Sequence, residues 1–247
     1  MNYKKKILIS GSDSRFCLFL KKNFSGKNII YCNKKELDIT NYSRLLNVLK
    51  KNKIKIFIHV AALSRPMKIH EKNIDLSILT NIIGTSNVVR ACNRLKVKLI
   101  YFSTNYVYPC KKGNYKETDN LMPINNYGWS KLGGECAVQM LEDSLILRLS
   151  ITNYPFDYKK AIKNAYSSLI YNKDFARILP LILNEKGVLN IGGKRQTIYN
   201  FAKKDNPNIK KTKLSKNSNY PLDSSLNLKK FKKILKKIKY DKKANYF

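Results

Sequence analysis

Short runs dense in β-branched and aromatic residues recur along this chain, and each is followed by a stretch whose apolar residues have helical spacing. Ile7 to Ser10 precedes a helix carrying Phe16, Leu18, Phe19, Leu20 and Phe24. Asn28 to Cys32 leads through the loop NKKELDITN into a helix from about Tyr42 to Lys50. IKIFIHVAA, from Ile54, has the Ile, Phe and Val density of a strand covered on both faces. After a polar loop containing Pro66 comes the helix DLSILTNIIGTSNVVRACNRL, and the strand KVKLIYFST then ends at Thr104. A long loop runs to about Asn126, YGWSKLGGECAVQMLED reads as a helix despite Gly133 and Gly134, and SLILRLS is the next strand. Strand and helix in repeated alternation can bury all their apolar faces together as a parallel sheet with helices on both sides. The expected fold class is therefore α/β, a doubly wound parallel sheet over residues 1–150 with a small C-terminal lobe over residues 151–247.

A chain of 247 residues suffices for one principal domain and such a lobe. Beyond Ile151, YNKDFARILPLIL is helical up to Pro180, KGVLNIGG is a short strand and turn, and TIYNFAKK is a short helix. PLDSSLNLKKFKKILKKIKY sets Leu228, Phe231, Leu235 and Ile238 on one helical face with lysines opposite, which predicts a docked helix with a solvated basic side. No apolar run is long enough to span a bilayer. After MNYKKK only Ile7 to Ile9 are apolar, too few for the core of a signal peptide, so a cytoplasmic protein is expected.

Five scattered cysteines with no C-x-x-C pair indicate reduced thiols. His59 and His70 are the only histidines, neither has ligand spacing, and no metal site is expected. The formal charge of +33 by itself points to a polyanion. Lysine supplies most of it, spread along the whole chain without interleaved arginines and aromatics, so nucleic-acid binding is not the expected role. The charge is compatible with attraction of a small anionic substrate.

Ligands of a doubly wound sheet sit beyond the carboxyl ends of its strands, and two groups of residues fall there. The first is the turn ISGSDSRFC. A dinucleotide-binding turn carries three glycines, and only Gly11 is present, with Ser14 and Cys17 in the other two positions. Gly11, Ser14, Arg15 and Phe16 are its candidate cofactor-binding residues. The second group joins FSTNYVY (102–108), at a strand end, to NNYGWSK (125–131), which opens a helix. Tyr127 and Lys131 share one helical face. A phenol is a poor acid at neutral pH until a neighbouring ammonium favours its phenolate. With a hydroxyl from Thr104 or Ser103 at the preceding strand's end, these groups form a carbonyl-reduction site.

At these residues the sequence resembles the extended short-chain dehydrogenase/reductases, most closely the dTDP-4-dehydrorhamnose reductase-like proteins, which have a Rossmann-type fold. Matching stretches are ELDITN (36–41), HVAALS (59–64), NIIGTSNVVRAC (81–92), FSTNYVY, NNYGWSKLGGE (125–135), LILRLS (145–150), KDFA (173–176) and DSSLNLKKF (223–231). The resemblance implies an NAD(P)-binding domain over 1–150, a shortened substrate-binding lobe over 151–247, and reduction of a nucleotide-linked 4-keto-6-deoxy sugar by NADPH or NADH. It implies Thr104, Tyr127 and Lys131 as catalytic residues: Tyr127 delivers a proton to the C4 oxygen, Lys131 tunes Tyr127 and holds the nicotinamide ribose, and Thr104 orients the carbonyl. Thr104 and Asn105 would meet the substrate. Asp38 and Ile39 would flank the adenine, Ala61, Ala62 and Leu63 would line the cofactor's path, and Asn81 would support the active-site loop. Asp38 reads equally well as a turn or helix-capping residue. Lys34 and Lys35 follow the second strand, where basic residues accommodate a 2′-phosphate, which favours NADPH.

Dehydratases of this family place an acidic pair after the threonine, where this chain has Asn105 and Tyr106. A 4-epimerase, which needs only the Thr, Tyr and Lys set, stays open. So does a non-catalytic NAD(P)-binding regulatory protein, because the glycine turn is altered, Ile151 replaces a usual aromatic residue, and the segment from RLS to KDFA is short. The oligomeric state stays open, although the sugar-nucleotide enzymes this sequence resembles often pair as homodimers.

Overall fold

The computed structural model describes residues 4–215 and 220–238. Strands β1 (Ile7–Ser10), β2 (Ile29–Cys32), β3 (Ile56–His59), β4 (Lys98–Thr104), β5 (Ser144–Leu149) and β6 (Gly187–Ile191) form one sheet in the order β6-β5-β4-β3-β1-β2. Every pairing in it is parallel. The main helices are α1 (Arg15–Asn23), α2 (Tyr42–Lys51), α3 (Gly84–Leu95), α4 (Asn126–Gln139), α5 (Asn172–Ile178) and α6 (Lys229–Lys237).

The twofold alternation of a strand divides the core into two layers. Ile7, Ile9, Ile56, Ile58, Ile100 and Phe102 face a cluster shared with Phe16, Cys17 and Leu20 of α1, Phe175 of α5 and Phe231 of α6. Leu8, Phe57, Leu99, Tyr101 and Ile146 face the opposite layer, with Leu45 and Leu49 of α2, Val88 and Cys92 of α3, and Val138 of α4. The strands are thus buried on both faces, which is why they read as near-continuous apolar runs.

The sheet does not stop at residue 150. KGVLNIGG supplies β6, which pairs with β5 from Gly187↔Leu145 to Ile191↔Leu149 and covers what would otherwise be an open strand edge. α5 packs on α1 through Phe16 and Phe175, with ring centroids 5.4 Å apart. α6 docks through Phe231 and Leu235, and Leu228 beside it is also buried, as its amphipathic pattern predicts; Lys239 and Tyr240, the end of that predicted helix, lie outside the described residues. What forms a separate apolar body within 151–247 is a small cluster that includes Phe156, Tyr171, Ile198, Phe201 and Ile209.

The predicted continuous helix before Leu95 is interrupted. Ile74–Ser77 is α-helical, Ile78–Ile83 is a π-helical turn, and α3 follows. A π-turn widens the helix and re-aims one side chain, here the buried Asn81. Gly134 lets α4 cross this segment closely, since a Cβ there would stand 2.6 Å from the Asn81 carbonyl oxygen and 2.7 Å from the Tyr101 hydroxyl.

Candidate active site

The strand order reverses between β1 and β3, and a cavity of about 670 Å³ opens beyond the carboxyl ends of the strands there. Ser14, Arg15 and Phe16 of the turn after β1 and Val60 and Ala62 after β3 form part of its wall. Thr104, Tyr127, Lys131, Arg65, Tyr106, Tyr158 and Tyr220 also line it.

Gly11 holds φ +73°, and a Cβ there would lie 2.7 Å from the Ala61 nitrogen, so neither the turn nor its seat against the β3 loop admits a side chain. Ser14 is the N-cap of α1, its hydroxyl accepting from the Cys17 N–H at 3.3 Å. Cys17 is a fully buried thiol in the core, pushed up to about 11 by burial, so the third glycine position is filled by packing. Arg15 reaches across the mouth to the Asp157 carboxylate, which also accepts from Asn153 at 2.7 Å.

Asn125 caps α4 by accepting from the Gly128 N–H at 2.9 Å, which starts the helix so that Tyr127 and Lys131 lie one turn apart on the cavity side. Tyr127 is half-buried, its ring edge-on to Tyr106 at 6.0 Å and against His70 at 5.1 Å. Burial raises the Tyr127 phenol above its ordinary range, while a hydrogen bond with Thr104 and the charge of Arg65 oppose the rise. Lys131 is 2% exposed with Nζ 4.2 Å from the centre of the Tyr101 ring, and burial pushes it down to about 7 against the pull of Glu135. Glu135 is itself fully buried, bonded to Arg148 at 2.6 Å and to the Ser103 hydroxyl at 2.5 Å. The Lys131 ammonium thus titrates near neutrality, while the groups that oppose the rise of the Tyr127 phenol are Thr104 and Arg65.

Asn81 pins the loop after β3. Its Oδ1 accepts from the Leu63 N–H at 2.8 Å, and its Nδ2 donates to the Leu63 carbonyl at 2.9 Å and to Ser130 Oγ on α4 at 2.9 Å. Below it His59 lies between Ser10 Oγ at 3.1 Å and Thr85 Oγ1 at 3.2 Å, and Ser10 Oγ accepts from the Ala61 N–H. Burial, and then the charge of Lys131, push His59 down to about 3, so it stays neutral.

Of the residues singled out from sequence, the structure brings Ser14, Arg15, Phe16, Ala62, Thr104, Asn105, Tyr127 and Lys131 to the cavity. Gly11, Ala61, Leu63 and Asn81 lie behind its wall as supports. Asp38 and Ile39 are not on the cavity wall. Ile39 is 4% exposed and packs where a Cβ on Gly84 would fall. Asp38 accepts from the Thr40 N–H and hydroxyl at 2.9 and 2.8 Å; burial works against its charge, but those bonds, with Lys34 and Arg44 nearby, hold it below the usual carboxylate range. Those bonds make it a turn residue, whether or not it also flanks an adenine. The Asn105 amide is taken up by the Ser224 carbonyl at 3.0 Å, which ties β4 to the C-terminal segment. Sequence reasoning missed Arg65, Tyr158 and Tyr220. Arg65 lay in a loop read only as polar, and the two tyrosines come from segments whose path depends on tertiary packing. The two tyrosines and Tyr106 supply aromatic surface that Ile151 does not.

The family described as RmlD substrate binding domain matches residues 5–167. A probable low-salt glycan biosynthesis reductase, Agl14, of Haloferax volcanii is 33% identical over 121 residues, 48% of this chain and 40% of that protein. Methionine adenosyltransferase 2 subunit beta of Xenopus laevis is 35% identical over 97 residues, 39% of this chain and 29% of that one. The match thus spans about two fifths or less of either relative's length. The crystal structure of a Bacillus anthracis dTDP-4-dehydrorhamnose reductase in complex with NADP superposes with a TM-score of 0.84 at 24% identity, covering 94% of this chain and 92% of that one.

Proposed function

The chain belongs to the RmlD substrate binding domain family, and on that premise we propose that it is an NAD(P)H-dependent reductase of a nucleotide-linked 4-keto-6-deoxy sugar. The observation that carries this reading is the meeting of Thr104, Tyr127 and Lys131 on one cavity at the reversal point of the sheet. The residues fit a dinucleotide: the turn packs backbone to backbone through Gly11, the small side chains of Ser14 and Ala62 leave room along the wall, and Arg15 stands at the mouth.

The reduced nicotinamide, when bound, supplies the hydride that adds to the sugar's C4, leaving NAD(P)⁺. Thr104 and Tyr127 hold the carbonyl oxygen between their hydroxyls. As negative charge develops on that oxygen, Tyr127 gives up its proton to it, and the product is the C4 alcohol. The phenolate left behind is stabilised by the Lys131 ammonium, whose own charge Glu135 sustains inside an apolar surround. Tyr106 and His70 hold the phenol ring from two sides.

The test is cofactor oxidation, followed by its absorbance, with dTDP-4-keto-6-deoxyhexose and either NADPH or NADH. Tyr127→Phe lowers kcat by roughly 10²- to 10⁴-fold, the usual contribution of a positioned acid. Absence of oxidation with any 4-keto sugar nucleotide, or equal rates in the variant, overturns the proposal. The likeness to a methionine adenosyltransferase subunit favours a second reading, a binding subunit with the same fold. Tight NADPH binding without turnover distinguishes it.

A further inference from the structure

Tyr127 is gripped by a segment the reaction does not otherwise use. His70, in the short helix Ile69–Lys72, is fully buried, and its ring lies 5.1 Å from the Tyr127 ring at an interplanar angle of 55°. Nδ1 is 2.7 Å from Ser77 Oγ. The His70 carbonyl accepts from Asn126 Nδ2 at 3.3 Å, and the Glu71 carboxylate accepts from Asn126 Nδ2 at 2.5 Å and from the Asn126 N–H at 3.3 Å. One helical turn therefore holds residues 126 and 127 by a ring, a carbonyl and a carboxylate.

His70 Nε2 stands apart. Among the described residues it is the only buried side-chain nitrogen or oxygen without a hydrogen-bond partner. A phenylalanine ring would fill much the same space without an unpaired ring nitrogen, although it would take the imidazole partner from the buried Ser77 hydroxyl, so the His70 ring does more here than pack on Tyr127.

We propose that His70 is a positioning residue for Tyr127: as a neutral imidazole anchored on Ser77 it holds the phenol ring facing Thr104, and on protonation it releases that hold. The proposal rests on Tyr127 being the proton donor of the reaction above. An imidazolium has two N–H donors. Ser77 Oγ can accept one, and the other would be buried with no acceptor. The groups facing the ring are the Ser77 hydroxyl from its helix, the Tyr127 phenol and Lys131 ammonium from α4, and Glu71 on its own turn; Asp75 is exposed. Burial disfavours the cation, Glu71 favours it and Lys131 opposes it, with a net shift below the ordinary histidine value. Protonation is thus a change of the acid range that ejects the ring from its seat.

The experiment compares kcat and KM against pH for the wild type, His70→Phe and His70→Ala, together with the ring resonances of ¹³C-labelled tyrosine and of the histidines. In the wild type, kcat falls on the acid side while KM for NADPH holds, and the Tyr127 resonance moves at the pH where His70 titrates. His70→Phe, which keeps a ring, abolishes that acid limb and the coupled Tyr127 shift. His70→Ala lowers kcat at pH 7 by roughly ten- to hundredfold, as a slightly misplaced acid does, and by more than His70→Phe. An acid limb in His70→Phe identical to the wild type, or a Tyr127 resonance that stays fixed from pH 7.5 to acid unfolding, overturns the proposal. If no substrate is reduced yet the Tyr127 resonance follows His70, the positioning stands and the reductase reading falls. The resonance test on the wild type decides the matter even where His70→Ala does not fold.

Discussion

Lowering the pH from 7 to 5 should cost this protein stability through His59, and the size of the loss follows from the burial of that ring. His59 is 1% exposed, flanked by Phe57 and Tyr101, and held near 3 in the folded state by burial and then by the charge of Lys131. In the unfolded chain it titrates near 6.5. A group whose folded value is depressed contributes its full stability above the unfolded value and loses it progressively as pH falls toward the folded one. Each pH unit below 6.5 therefore costs about 1.36 kcal/mol, and at pH 5 the loss from His59 alone is about 2 kcal/mol. His70 is shifted in the same direction and adds to it. Asp38, Asp143 and Asp157 are held below the usual carboxylate range and their contributions are lost only at lower pH, whereas Lys131, near 7 in the fold, also loses its share as the pH falls from 7, so the His59 part is the difference in slope between the wild type and His59→Gln. Urea unfolding followed by circular dichroism at pH 7, 6 and 5 measures the slope. His59→Gln, which keeps a hydrogen-bonding group between Ser10 and Thr85 but cannot titrate, should be less stable at pH 7 and flatter below it. A stability that does not change between pH 7 and 5, or an undiminished slope in His59→Gln, refutes the reasoning.

Glu135→Gln removes the carboxylate that both sustains the Lys131 charge and pairs with buried Arg148. Lys131 then titrates below about 7, the alkaline limb of kcat moves to lower pH, and stability falls by about 3–5 kcal/mol as Arg148 loses its partner; a pH–rate profile and an unfolding curve check both. Gly134→Ala drives a methyl to within 2.6 Å of the Asn81 carbonyl oxygen, so α4 must shift. The melting temperature should drop and kcat with it, and a variant with wild-type values would show that the crossing has slack. Ser14→Gly frees the Cys17 N–H from its cap at a cost of a few tenths of a kcal/mol in helix stability. It should tighten NADPH binding in a calorimetric titration, whereas unchanged or weaker affinity would count against a pyrophosphate seat at this turn.

Strand and helix alternation alone determined the parallel sheet, because a strand buried on both faces leaves an unbroken apolar run such as IKIFIHVAA that survives in one dimension. The spacing of Tyr127 and Lys131 placed them on one helical face, and the order of elements put them beside Thr104. The turn after β1 was likewise legible from Gly11, whose left-handed φ needs glycine wherever the rest of the chain goes. Other features depend on partners distant in sequence and leave no local trace. KGVLNIGG became the sixth strand because β5 had an open edge to cover, not through any signal stronger than its neighbours'. Gly133 and Gly134 counted against a helix in isolation, and only the close crossing at Asn81 explains Gly134. That Thr40 engages the Asp38 carboxylate was likewise visible only in the fold. Local periodicity and backbone preference are written residue by residue, so sequence determined the fold and the spacing of Tyr127 and Lys131. Burial, and the electrostatics that place Lys131 near 7, His59 near 3 and His70 against Tyr127, depend on which groups meet across the sheet, and only the tertiary structure decided that.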